Sequence, residues 1–283
     1  MTPTQSCNLV VHGAAGRMGQ RIVACAIAEP EQWNLVAAID RSGHPRLGDD
    51  AGQVAGAGDI GVPLSTSWEV PADVVIDFSL PGALRGIAEA CVQRGVPLVV
   101  ATTGLQVDDE AAIAEAAMSV PVLISPSMSL AVNIAMDLVG RAGRLLHGVG
   151  SRADVEIIEC HHHHKEDAPS GTALKFGRIV KDAMGQSKET HGREGRPGAR
   201  PEDEVGYHAV RSGDNPGEHT ILFGLEGESL SVNVRATNRD SYARGALAAA
   251  AFLVGKPAGM YSMNDVLGIS SGNEAQRVPS NGK

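Results

Sequence analysis

The sequence predicts an α/β protein in which a doubly wound parallel sheet is joined to a smaller α+β domain with an open mixed sheet. Short β-branched runs alternate with helical segments through the first half of the 283 residues, the alternation that builds a parallel sheet covered on both faces. A glycine-rich turn separates the first strand from the first helix. Past residue 150 the rhythm changes to closely spaced strands with few helices, which marks a second domain.

The chain opens with Leu9-Val10-Val11-His12, a short apolar strand, and Gly13-Ala14-Ala15-Gly16-Arg17-Met18-Gly19 follows at once. Apolar residues at Ile22, Val23, Ala26 and Ile27 then keep helical spacing. Strand, turn and helix in this order, with Gly-x-x-Gly-x-x-Gly spacing, make a variant of the dinucleotide fingerprint. In it glycines let the backbone approach a pyrophosphate and helix amides hold it. Gly13, Ala14, Ala15, Gly16, Arg17 and Met18 are therefore the candidate pyrophosphate loop of a Rossmann-type domain. The next strand, Leu35 to Ile39, ends in Asp40, placed to hold ribose hydroxyls. Arg41 beside it can stack on adenine or meet a 2′-phosphate. The pair predicts use of both NADH and NADPH.

Further strands are expected at Val74-Val75-Ile76-Asp77, Leu98-Val99-Val100-Ala101 and Val122-Leu123-Ile124, separated by helices near Ala83 to Arg94 and Asp109 to Met118. In such sheets the ligand lies beyond the carboxyl ends of the strands. Those ends carry Phe78-Ser79, then Thr102 and Thr103 after Ala101, then Ser125, Pro126, Ser127 and Met128. They are the expected lining of the cofactor cleft.

After a helix around Val132 to Leu146, strands are expected at Val155 to Cys160, Val205 to Val210, Thr220 to Leu225 and Leu230 to Ala236, the last two joined by a short Glu-Gly-Glu turn. Residues Gly185 to Glu204 are rich in glycine, proline and charge. That length suggests a functional or intersubunit loop rather than a passive connector. Asp240 or Ser241 caps an alanine-rich helix, and Met263 to Ile269 is expected to return to the first domain. The expected division is 1–131 with 244–283 for the dinucleotide and 132–243 for substrate binding and oligomerisation. An open sheet edge needs a cover, and self-association through this sheet provides one.

The densest chemistry lies in Glu159-Cys160-His161-His162-His163-His164-Lys165-Glu166-Asp167-Ala168-Pro169-Ser170-Gly171-Thr172-Ala173, between a strand and a helix. Ser170, Gly171 and Thr172 stand where the helix begins, so their amides lack intrahelical partners and suit an anion such as a carboxylate. Lys165 adds a point charge, and imidazoles suit proton transfer near neutral pH. The set fits an acid-catalysed site for an anionic substrate. Neighbouring imidazoles oppose each other's protonation, so only one or two of the histidines should carry chemistry. A capped polar loop would also explain Pro-Ser-Gly-Thr taken alone. No metal is expected, because alternate residues of an extended segment face opposite sides and a closed zinc site needs converging ligands.

Composition narrows the partners. A net charge of −9 and an aromatic content of 3% argue against nucleic acid. No apolar stretch reaches the length of a membrane span, and the N-terminus lacks the basic region and apolar core of a signal peptide. Cys7, Cys25, Cys91 and Cys160 show no paired spacing, as expected of reduced thiols in a cytoplasmic protein.

Taken together, the motifs are specific enough for a resemblance. They are the glycine loop, Ala101-Thr102-Thr103-Gly104, Glu156-Ile157-Ile158-Glu159, and His161-His162-x-His164-Lys165-x-Asp167-Ala168-Pro169-Ser170-Gly171-Thr172-Ala173. With them stand Arg193-Glu194-Gly195, Val210-Arg211-x-Gly213, Gly217-Glu218-His219-Thr220 and Asp265-Val266-Leu267. Over nearly its whole length the chain resembles the dihydrodipicolinate reductases of the diaminopimelate route to lysine. The resemblance implies a homotetramer and NAD(P)H-dependent reduction of a cyclic imine dicarboxylate, the dehydrated form of 4-hydroxy-tetrahydrodipicolinate, to tetrahydrodipicolinate. It makes His161 the general acid and Lys165 a second proton donor or carboxylate partner. It gives the substrate carboxylates to His162, Gly171 and Thr172, and gives His163 no role. Ala101 stands where the family commonly has glycine, and Ser125 to Met128 replace a segment that often carries Asn-Phe. Two other classes stay open from the residues themselves. One is a different two-domain nicotinamide oxidoreductase, although Cys160 in a strand and Cys91 in a helical run do not suit an aldehyde-dehydrogenase nucleophile. The other is a non-catalytic NAD sensor, which has no need of histidines and lysine at an anion site.

Overall fold

The computed structural model of the protein describes residues 6–150 and 152–269. In chain order the first elements are β1 (Cys7–His12), α1 (Arg17–Ile27), β2 (Trp33–Ile39), α2 (Ala51–Val54), β3 (Leu64–Ser65), β4 (Val74–Asp77), α3 (Pro81–Arg94), β5 (Leu98–Val100), α4 (Val107–Ala117) and β6 (Pro121–Ile124). There follow α5 (Leu130–Gly148), β7 (Asp154–His161), α6 (Gly171–Met184), β8 (Lys188–His191), β9 (Glu204–Arg211), β10 (Glu218–Gly224) and β11 (Ser229–Arg235). The chain then forms α7 (Asp240–Leu253), β12 (Gly259–Tyr261) and α8 (Met263–Val266). They form two units: one holds the described residues up to Leu130 and from Tyr242 onward, the other Ala131–Ser241. The parts of the expected first domain at 1–5 and 270–283 lie outside the described residues.

In the first unit a seven-stranded parallel sheet runs in the order β12-β6-β5-β4-β1-β2-β3. Its central strands bury both faces, which is why they read as continuous apolar runs rather than alternating ones. Leu9, Val11, Val74, Ile76, Val99 and Leu123 pack with α1 and α7 on one side. Val10, Val75, Leu98, Val100 and Val122 pack with α3 and α4 on the other. The two edge strands, β3 and β12, have two and three residues, too few to leave a periodicity in the sequence.

The second unit holds a five-stranded mixed sheet, β11-β10-β7-β9-β8, in which β10 runs antiparallel to β7 and β11 while β7, β9 and β8 are parallel. Here the strands alternate. Val155, Ile157, Tyr207, Ile221 and Phe223 face α5 and α6 and make the core with Val139, Phe176 and Val180. The opposite face carries Glu156, Ile158, Cys160, His208 and Val210; Arg193 and Arg200 bond to Glu156 there, while Ile158 and Val210 are exposed.

The segment Gly185 to Glu204, expected as a loop, is not loop throughout. Part of it is the edge strand β8, whose Lys-Glu-Thr-His sequence has no apolar residue to betray it. The rest is pinned to β7 by ion pairs. Arg193 gives two hydrogen bonds to Glu156, at 3.0 and 2.8 Å, and Arg200 Nε donates to the same carboxylate at 2.9 Å. His208 Nε2 lies 2.7 Å from Glu156 as well. Burial alone would raise the Glu156 carboxyl; Arg193, Arg200 and His208 outweigh it and hold it at about 2.

Candidate functional site

The glycine loop is built by close packing. Gly13 has φ +77°, and a Cβ on it would lie 2.6 Å from the carbonyl oxygen of Phe78. A Cβ on Gly19 would lie 2.1 Å from the Gly13 oxygen, so the helix sits directly on the turn. Most loop amides are spent internally. Those of Gly13 and Ala14 donate to Ile39 O at 2.8 and 3.0 Å, and that of Gly16 to Gly13 O at 3.0 Å. The amide of Ala15 goes to Asp40 Oδ2 at 2.9 Å. Asp40 therefore braces the loop, besides taking the Arg41 amide on Oδ1 at 2.9 Å. Gly16 caps α1 without a side chain and the first turn has no acidic residue. The amides of Arg17 and Met18 are thus left for an anion. This donor set fits a dinucleotide phosphate. A groove of about 290 Å³ beside it is lined by Gly13, Gly16, Asp40, Arg41, His44 and Phe78 among others.

The remaining residues expected in the cofactor cleft divide into inward and outward groups. Thr102 is buried, its hydroxyl donating to Asp77 Oδ2 at 2.6 Å. Ser125 is buried and its hydroxyl donates to Ser127 O at 2.8 Å. The Met128 side chain belongs to the core, and Ala101 and Ser127 are buried too. Thr103 and Pro126 are exposed, at the ends of β5 and β6.

In the second unit Val155, Ile157, Glu159 and His161 share the inward face of β7. A glutamate at such a position must be fully paired. Glu159 accepts from Arg211 at both oxygens, at 2.9 Å each. It also takes the Ser170 amide at 3.1 Å and pairs with His161 Nδ1. Burial works to raise its carboxyl, but the bonds from Arg211 and His161 hold it below the usual range. His161 ends the strand at 8% exposure. Its pKa is lowered, by burial first; Glu159 opposes the shift, while Lys165 and Arg211 add to it. His219 stands edge-on to His161, ring centroids 5.2 Å apart, with its Nε2 3.0 Å from Ser170 Oγ. Burial, then His161, pushes it down to about 4. It is neutral at neutral pH.

Ser170 corrects a second expectation. Its amide goes inward to Glu159, and its hydroxyl accepts from the Ala173 amide at 3.2 Å as the N-cap of α6. The free amides at this helix start are those of Gly171 and Thr172. Ala168–Pro169 before it is a cis peptide. Lys165 Nζ lies 2.7 Å from Asp167 Oδ1. The His162 amide is tied to Asn215 O at 2.8 Å. His163 is exposed, with Nδ1 2.9 Å from Gly213 O. The fold therefore gathers His161, Glu159, Arg211 and His219 into one buried network, and sets Lys165, Gly171 and Thr172 on the segment leading from it. Glu159, Arg211 and His219 join the site only through the fold. Glu159 was detectable, being an acid two positions before His161 and so on the same strand face.

Among the described residues no grouping of His, Cys, Asp and Glu could hold a metal ion, and no helix is long and apolar enough to cross a membrane.

Residues 7–128 match the family described as dihydrodipicolinate reductase, N-terminus, and residues 131–267 match dihydrodipicolinate reductase, C-terminus. A 4-hydroxy-tetrahydrodipicolinate reductase of Rhodopirellula baltica is 53% identical over 275 residues, covering 94% of this chain and 98% of its own. One from Anaeromyxobacter dehalogenans is 45% identical over 270 residues, covering 93% and 98%. Among solved structures, a dipicolinate-bound dihydrodipicolinate reductase from Paenisporosarcina sp. TG-14 shares the fold. Its TM-score is 0.72 at 23% identity, over 91% of this chain and 98% of that one.

Proposed function

The chain belongs to the dihydrodipicolinate reductase family, and from that premise we propose that it reduces the cyclic imine dicarboxylate derived from 4-hydroxy-tetrahydrodipicolinate, giving tetrahydrodipicolinate on the diaminopimelate route to lysine. It is an NAD(P)H-dependent oxidoreductase. The observation that carries the division of roles is the Glu159–His161 pair, clamped by Arg211 beside the start of α6.

The reduced nicotinamide, when bound, supplies a hydride to the conjugated imine. Negative charge then builds on the substrate and must be met by a proton and a nearby cation. His161 is the proton donor. Its Nδ1 is held by Glu159, leaving Nε2 to deliver. Lys165 supplies the cation or a second proton. The Gly171 and Thr172 amides, the Thr172 hydroxyl and His162 hold the carboxylates. In the first unit the Arg17 and Met18 amides take the pyrophosphate. Gly13, Ala14, Ala15 and Gly16 shape the turn, while Asp40 and Arg41 meet the adenosine ribose. At the strand ends Thr103 and Pro126 face the cofactor, and Ala101, Thr102, Ser125, Ser127 and Met128 back them from within. Loss of absorbance at the reduced-nicotinamide band on adding freshly generated 4-hydroxy-tetrahydrodipicolinate tests the reading. No change with NADH or NADPH overturns it in favour of a sensor.

The working form on this reading is a cytoplasmic homotetramer, joined through the open face of the five-stranded sheet. Ile158 and Val210 lie on that face at 39% and 43% exposure, and hydrophobic burial there would drive assembly. Ile158→Asp combined with Val210→Asp should shift the sedimenting species to a smaller one. A wild-type monomer at micromolar concentration removes the proposal.

A further inference from the structure

Asp77 and His12 are the most deeply placed ionisable pair that these roles leave idle. Asp77 ends β4 and is fully buried. Its Oδ1 accepts from the Ser79 hydroxyl at 2.6 Å and the Ser79 amide at 3.3 Å, and its Oδ2 from the Thr102 hydroxyl at 2.6 Å. His12 Nδ1 lies 2.7 Å from Oδ1. One carboxylate thus fastens the carboxyl ends of β1, β4 and β5, where the glycine loop, the Phe78 turn and the Thr102 turn leave the sheet. A carboxylate already filled by donors accepts from the imidazole too, which places the ring proton on Nδ1. In the neutral ring Nε2 is then an acceptor. It has no partner among the described residues, and it is not among their buried unpartnered atoms.

His12 also lines the groove that holds Gly13, Gly16, Asp40 and Arg41. An acceptor nitrogen there suits a hydroxyl rather than a phosphate. We propose that His12 is a further cofactor-binding residue: Asp77 fixes its tautomer, and Nε2 accepts a hydrogen bond from a hydroxyl of the adenosine ribose. This inference rests on the cofactor reading above. It gives Asp77 a positioning role, because its bond decides which ring nitrogen is the acceptor.

The test is a cycle of protein and ligand changes read by calorimetry with ADP, 2′-deoxy-ADP and 3′-deoxy-ADP. His12→Asn keeps an N–H near the Nδ1 position for Asp77 and removes Nε2. In the wild type, one deoxy analogue should bind about fivefold more weakly than ADP, the loss of one hydrogen bond. In His12→Asn that penalty should disappear, ADP itself binding about as weakly as the analogue. Should both analogues keep their wild-type penalties in His12→Asn, the ribose contact is made elsewhere and the proposal is overturned. A wild-type protein that binds ADP with no penalty for either missing hydroxyl overturns it equally. Failure of the wild type to bind ADP at all would instead strike the cofactor reading, and this inference with it.

Discussion

His161→Gln should lower kcat by roughly 100- to 10,000-fold, the range that a positioned general acid contributes, while the dissociation constant for NADH should change by less than about threefold. Glutamine can still hydrogen-bond but cannot deliver a proton. The size of the loss depends on there being no substitute. His219, the nearest imidazole, is pushed down to about 4 by burial and by His161, so it holds no proton to give at neutral pH. His163 is tied at Nδ1 to Gly213 O and exposed. The folded pKa of His161 lies below its ordinary 6.5 because burial outweighs Glu159. That makes its imidazolium a readier donor, and turnover should fall as pH rises through that lowered value. Steady-state kinetics together with fluorescence titration of NADH separate the two parameters. Turnover of the glutamine variant within threefold of wild type would show that the proton comes from elsewhere.

Much of this arrangement could be read from the chain, and the exceptions have identifiable causes. The parallel sheet was legible because a strand buried on both faces, such as Leu9-Val10-Val11, must be apolar throughout. The glycine turn was legible because Gly13 and Gly19 stand where no side chain fits. What sequence could not supply was the destination of each donor. Ser170 reads as an outward amide at a helix start, and its turn toward Glu159 depends on β7 passing beneath it. Asp40 reads as a ribose ligand, yet one oxygen holds Ala15 in place. Arg211 sits 52 residues from Glu159, and only the parallel pairing of β7 with β9 makes them neighbours. β8 was invisible because its strand character comes from pairing with β9, not from its own polar residues.

The same network makes Glu159 the position expected to be most sensitive after His161, the proposed proton donor. Glu159→Gln removes the negative charge, and weakens to a neutral one the hydrogen bond, that hold the His161 pKa up, leaving burial, Lys165 and Arg211 to press it lower. Less imidazolium is then present at neutral pH, so turnover at pH 7 falls, and the limb on which activity declines with rising pH moves toward acid. Stability changes in a linked way. The Glu159 carboxyl lies below its ordinary 4.5 in the folded protein, so its contribution is complete above that value and lost as pH falls through the folded one. Removing one partner of a buried pair costs on the order of 3 kcal/mol or more, so the gap in melting temperature between wild type and variant should be widest at neutral pH and narrow on acidification. A purely structural glutamate would lower activity by the same factor at every pH. Profiles of kcat for wild type and Glu159→Gln that superimpose after scaling would therefore deny it any hold on the acid, whereas a displaced limb with partial recovery at lower pH ties the strand-end histidine to the carboxylate that orients it.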